Sequence, residues 1–233
     1  WQVEEKWLVK TPGVVFALAM AVRAFTKEGE AVMIQQPVYY PFSSVIKDNG
    51  RKLVSNTLVQ KEDGHYEMDL ADFERKVKKE KVKLFFLCNP HNPVGRVWTK
   101  EELARVGEIC KKNNVLVIAD EIHSDLVYAG YVHTPFALAS DAPHLLCTSL
   151  GKTFNVAGLR LANIFSSSAE RKKQYDQEID AYSYSASNTF GLEMVQAAYS
   201  PEGEAWLEEL LVYLQGNVEV VSEWCQKHNV GFT

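Results

Sequence analysis

Short apolar runs recur along the chain, separated by stretches in which apolar positions return every three or four residues. Val82–Cys88 (VKLFFLC) and Val115–Ala119 (VLVIA) are apolar without alternation, the pattern of strands covered on both faces. Ala31–Gln36, closed by Pro37, reads as a further strand, as do Arg51–Leu58, Leu145–Ser149 and Leu159–Phe165. Helical spacing fills the intervals. In Thr11–Phe25 it brings back Val15, Leu18, Ala19 and Val22, and it recurs in Phe42–Asn49, Asp69–Lys79, Lys100–Lys112, Ala169–Ala181 and Asn188–Tyr199. Thr99, with Glu102 three residues on, reads as a capping box for the Lys100 helix. After the Ser200-Pro201 break, Glu202–Lys227 reads as one long amphipathic helix with Trp206, Leu210, Tyr213, Val220 and Trp224 along its apolar side. Strands alternating with helices predict an α/β layer fold with a mostly parallel sheet.

In such a fold the loops at the carboxyl ends of the strands hold the ligand. The residues falling there are unusual. A Thr-Pro-Gly turn opens the first helix, leaving the N–H groups of Gly13, Val14 and Val15 free to receive an anion. Tyr39, in VYYPF, offers a flat face to a ring-shaped ligand. Asn89 and Asn92 lie in the rigid NPHNPVG turn and present amide donors. Asp120, Glu121 and His123 follow VLVIA in DEIHSDL. The stretch Thr148–Asn163 (TSLGKTFNVAGLRLAN) holds Lys152 between Ser149 and Arg160. A lysine lifted from a strand end into a crevice has an amine usable as nucleophile and base. A serine hydroxyl and an arginine fork beside it suit a phosphate. Each feature alone has an ordinary reading: a core helix turn, a capping aromatic, an acidic cap, a solvated lysine. Their convergence on one rim is what the ordinary readings do not explain.

Composition narrows the classes. With 233 residues, 46% of them hydrophobic, the chain can bury a sizeable core and fits one large domain or one and a half. A net charge of −5 gives no basic field for nucleic acid, and no apolar run has the length of a membrane span. The four cysteines are widely spaced, as expected of reduced thiols in a cytoplasmic protein. Cys88 and His91 form a C-x-x-H pair without a second ligand pair, so no metal site is expected. The chain opens on Trp1 without a Met and stops just after a helix, and is expected to be part of a longer protein.

NPHNPVG, DEIH and SLGK, in this order and spacing, resemble the fold-type I enzymes dependent on pyridoxal phosphate (PLP), of the aminotransferase class I/II kind. NPHNPVGRVWTKEEL followed by DEIHSDL is most similar to the bacterial cystathionine β-lyase, or C–S lyase, group. The resemblance implies a three-layer αβα large domain over residues 1–200. It also implies a connecting helix over 201–233, leading towards a small C-terminal domain that this sequence lacks. It implies that Lys152 holds the cofactor covalently and moves the Cα proton, that Asp120 pairs with the pyridinium nitrogen, and that Tyr39 stacks on the ring. Asn92 would bond the ring's 3-oxygen and His123 would lie near the ring. Gly13, Val14 and Val15, with Ser149 and Arg160, would hold the phosphate. Two positions depart from the lyase pattern: Gly151 stands where many relatives have a second serine, and Arg160 matches aminotransferases, where C–S lyases often carry a neutral residue. The implied activity is β-elimination on a cysteine S-conjugate such as cystathionine, with transamination as the alternative. A PLP-binding regulatory module is the alternative outside the enzymes. The implied assembly is a homodimer acting on a small amino acid.

Overall fold

The computed structural model describes residues 1–231. In chain order it comprises β1 (Leu8–Thr11), α1 (Val14–Phe25), β2 (Ala31–Ile34), α2 (Pro41–Asp48) and β3 (Lys52–Ser55). A hairpin of β4 (Val59–Gln60) and β5 (Tyr66–Glu67) precedes α3 (Leu70–Glu80), β6 (Leu84–Cys88), α4 (Lys100–Lys112) and β7 (Leu116–Asp120). Then come α5 (Phe136–Ala139), β8 (His144–Thr148), α6 (Leu150–Thr153), β9 (Ala162–Phe165), α7 (Ala169–Ala181), α8 (Thr189–Ala198) and α9 (Pro201–Lys227). Seven strands form one sheet in the order β1-β9-β8-β7-β6-β2-β3. Neighbours from β3 through β8 are parallel, and β9 runs antiparallel to both β8 and β1. The mostly parallel sheet expected from the alternation is present.

Side chains alternate across the sheet, so each strand feeds two cores. Leu84, Phe86 and Cys88 join Ile118, Leu145 and Ile164 in the core under α1, α2 and α7. Phe85, Leu87, Val117 and Ala119 join Phe73, Leu103 and Phe136 in the core under α3, α4 and α5. This two-sided burial is why VKLFFLC and VLVIA show no polar alternation. The Tyr175 hydroxyl of α7 donates to the Ala17 carbonyl of α1 at 2.9 Å, inside the first core.

The sequence reading differs from the structure in places. The final strand begins at Ala162, since Ala157–Leu159 form a 3₁₀ turn and Arg160 adopts a left-handed φ of 52°. Strand β1, the β4–β5 hairpin and α5 have two to four residues each, too few to show a period. Helix α9 has its expected length, but the apolar residues Tyr213, Val220 and Trp224 are exposed, and Cys225 is its buried residue. The division into residues 1–200 and 201–233 rests on the resemblance; residues 232 and 233 lie outside the described residues. Among the described residues, no helix is long and apolar enough to cross a membrane.

Candidate functional site

Parity on the strands explains which side chains meet. Leu116 and Ile118 of β7 face the core under α1, so Asp120, two residues on, points the same way. Register places Cys88 beside Asp120 on one neighbouring strand and Cys147 beside it on the other. Asp120 is only 4% exposed, at the carboxyl end of a central strand. Its Oδ1 accepts the Ile122 N–H at 3.2 Å, and its other oxygen has no hydrogen bond among the described residues. Burial pushes its pKa up to about 7, with Glu121 adding to the rise while the Ile122 N–H and Lys152 oppose it. A buried acid with a spare oxygen and a raised pKa suits a cationic partner.

Beside Asp120 lies a small inner pocket of about 70 Å³, lined by Val14, Val15, Tyr39, Asn92, Asp120, His123 and Lys152, with Cys88 and Ile122. It adjoins a larger cavity of about 490 Å³, to which Gly13, Ser149 and Arg160 contribute together with Val14, Val15, Tyr39 and Lys152. Ten residues expected at the site, Gly13, Val14, Val15, Tyr39, Asn92, Asp120, His123, Ser149, Lys152 and Arg160, therefore line one of two cavities, and four of them line both. Gly13 caps α1 with φ 143° and ψ 161°, a backbone that favours glycine, and leaves open space where a Cβ would stand. The first-turn N–H groups of α1 have no partner within the helix, so the cavity, which Arg160 also lines, has a donor wall.

Lys152 lies on α6, entered through Ser149. The Ser149 hydroxyl accepts the Gly151 N–H at 3.1 Å and donates to the Leu161 carbonyl at 2.7 Å. Its proton is thus engaged within the protein. A Cβ on Gly151 would stand 3.2 Å from Ser149 Oγ and 3.3 Å from Ala157 Cα, so a serine there requires this turn to shift by a few tenths of an ångström.

The 88–96 turn contributes Cys88 and Asn92 to the inner pocket. Cys88 Sγ accepts the Asn92 N–H at 3.4 Å, and the Asn92 carbonyl accepts the Tyr39 N–H at 3.0 Å. Burial raises the Tyr39 phenol pKa, with Tyr40 and Asp120 adding to it. Burial lowers that of His123, and the Lys152 charge lowers it further. Asn89 does not reach either cavity: it is fully buried, donating to the Thr134 carbonyl at 3.1 Å and accepting the Trp98 N–H at 3.4 Å. His91 is buried too, with Nε2 2.8 Å from the Pro37 carbonyl. The sequence reading missed Cys88 and Ile122 as site residues. The parity of β6 was the available signal for Cys88, and for Ile122 there was none beyond its place next to Asp120.

Comparison with known proteins follows the same line. The profile of the aminotransferase class I and II family matches residues 2–233. The chain is 42% identical over 221 residues to cystathionine beta-lyase PatB of Bacillus subtilis, covering 94% of this chain and 57% of that protein. It superposes on a PLP-bound putative aminotransferase from Clostridium difficile with a TM-score of 0.94 at 41% identity, covering 97% of this chain and 59% of that one. It superposes on a PLP-bound C–S lyase from Staphylococcus hominis with a TM-score of 0.92 at 34% identity, covering 97% and 57%. The chain thus spans a little under three fifths of the length of these relatives.

Proposed function

Because the chain belongs to the aminotransferase class I and II family, we propose that it is the cofactor-binding part of a PLP-dependent C–S β-lyase, which releases thiol, pyruvate and ammonia from a cysteine S-conjugate such as cystathionine. The observation that carries this reading is the shared inner pocket of Asp120 and Lys152, in which a buried carboxylate has one oxygen without a hydrogen bond among the described residues. The residues fit the cofactor. Asp120 would receive the N–H of a pyridinium ring. Tyr39 and Ile122 would bound that ring, and the Asn92 amide would donate to its 3-oxygen. The α1 N-terminus from Gly13 to Val15 and Arg160 would hold the phosphate, with Ser149 fixing the turn next to it. When bound, PLP supplies an electron sink for the bonds at the amino acid's Cα.

The chain's own residues do the rest. Lys152 would hold the cofactor, and its amine would take the Cα proton of the substrate. Asp120, as the carboxylate, would keep the ring nitrogen protonated. His123 lies in the inner pocket, and its lowered pKa keeps it neutral near pH 7, so it is a hydrogen-bonding neighbour of the ring and adds no second charge. The relatives' names support the lyase reading, led by the 42% identity to PatB. Transamination is the second reading, favoured by the similarity to the putative aminotransferase. We further propose a cytoplasmic homodimer in which α9 leads to a small domain carrying the substrate-carboxylate arginine. The deciding experiment is pyruvate release from cystathionine by the full-length protein without added 2-oxo acid. Steady release supports the lyase. Amino transfer to an oxo acid, with no release in its absence, supports the aminotransferase and refutes the lyase.

A further inference from the structure

Helix α6 has four residues, too few to hold the Lys152 side chain in place through helical hydrogen bonds alone. Its entrance is fixed by Ser149. Its exit is fixed from another element. Thr153, 1% exposed and next to Lys152, donates its hydroxyl to Asp125 Oδ2 at 2.9 Å. Asp125 sits in the turn that leaves β7. There the Ser124 N–H donates to the Glu121 carbonyl at 3.0 Å, and the Leu126 N–H to the His123 carbonyl at 3.0 Å. One side-chain bond therefore joins the neighbour of Lys152 to the turn that begins at Asp120. Beyond it, the Phe154 ring stacks on Trp206 with centroids 5.5 Å apart and meets Tyr199 edge-on at 6.1 Å. Burial, with the Asp125 charge adding to it, pushes the Tyr199 phenol pKa up to about 12.

We infer that Asp125, acting through Thr153, is a positioning residue that sets the placement of the Lys152 amine relative to the Asp120 carboxylate. The inference rests on the reading of Lys152 as the cofactor-bearing lysine. A hydroxyl donating to a carboxylate gives a shorter and stronger bond than one donating to a neutral acceptor, which suits a tether that must hold one geometry. Neither Asp125 nor Thr153 lines the inner pocket. Their effect on it runs through backbone, whereas losing a bond that only strengthens the fold would lower stability and leave the pocket's chemistry alone.

The test uses the full-length protein with Thr153→Val, Thr153→Ser, Asp125→Ala and the Asp125→Ala/Thr153→Val pair. Three quantities are read: the affinity for PLP, the pH midpoint of the visible absorption of the PLP-loaded protein, and the Tm without cofactor. Thr153→Val and Asp125→Ala should each weaken PLP binding about tenfold, the loss expected for one charge-assisted hydrogen bond. Both should move the absorption midpoint in the same direction. The double variant should be no worse than Asp125→Ala, because the two residues act through one bond. Thr153→Ser, which keeps the hydroxyl, should behave as the parent. If Asp125→Ala does not fold, Asp125→Asn replaces it, with an expected loss of about threefold because its acceptor is uncharged. The inference is overturned if the single variants lower the Tm yet keep the parent's affinity and midpoint, or if their effects on affinity multiply in the double variant. A parent protein that takes up PLP without visible absorption overturns the cofactor reading and this inference with it.

Discussion

Asp120 shows how one residue's surroundings write a chemical role. The same carboxyl on a surface would sit near its ordinary value of 3.8; enclosed between two strands and beside two thiols, it is pushed to about 7. Burial is the larger cause, and the single Ile122 N–H offsets only part of it. The stability consequence has a definite sign. Between about pH 4 and pH 7 the folded, cofactor-free protein holds a proton on Asp120 that the unfolded chain has lost, so this group's contribution to stability falls as pH rises through that window. Asp120→Asn removes the titration, so chemical denaturation of the cofactor-free variant should show a flatter pH dependence from 5 to 8 than the parent. An identical slope would show that the carboxyl is ionised throughout. Added PLP should stabilise the parent and lose most of that effect in the variant, because an amide cannot hold a pyridinium proton as a carboxylate does. The acid at the strand end was legible in the sequence. Its environment was not, because the flanking Cys88 and Cys147 are distant in the chain and reveal themselves only through strand register.

At the scale of elements, the chain reads well where a boundary has its own chemistry. Helix α4 begins at Lys100 as expected because Thr99 and Glu102 bond each other's backbone: the Glu102 N–H reaches Thr99 Oγ1 at 3.1 Å and the Thr99 N–H reaches Glu102 Oε2 at 2.8 Å. The same Glu102 takes both oxygens to Arg96 at 2.9 Å, and the Arg96 guanidinium lies 4.6 Å over the Trp98 ring. The cap thereby also anchors the end of the Asn92 turn. Thr99→Ala should cost about 1 kcal/mol of stability, the usual loss for an N-cap. PLP affinity should be unchanged, since Thr99 touches neither cavity. A loss of affinity without a loss of stability would mean that the cap acts on the site through Arg96. Boundaries fail where no local signal exists. Nothing in the chemistry of Leu159–Leu161 announces that a 3₁₀ turn and a left-handed Arg160 replace the first residues of a strand, yet this backbone is what brings Arg160 to the cavity.

For the molecule as a whole, the sheet's two-sided core was visible in VKLFFLC and VLVIA, and with it the layered fold. The rim was visible too: Gly13, Tyr39, Asn92, Asp120 and Lys152 were each assigned to a strand end or helix start, and all line the joined cavities. Asn89 was assigned to the same rim and instead braces the 134 and 98 backbones, because a strand-end amide can point inward as readily as outward. The exposed apolar residues of α9 could not be anticipated from periodicity, which marks an apolar face without saying what covers it. The proposed function requires that loops distant in sequence close on one cofactor held at Lys152. It is tested most directly by loading the full-length protein with PLP, reducing it with borohydride, and mapping the modified peptide by mass spectrometry. A pyridoxyl mass addition is expected on Lys152, reduced to a trace in Asp120→Ala. Modification of a different lysine, or none in a protein that has taken up PLP, would contradict it.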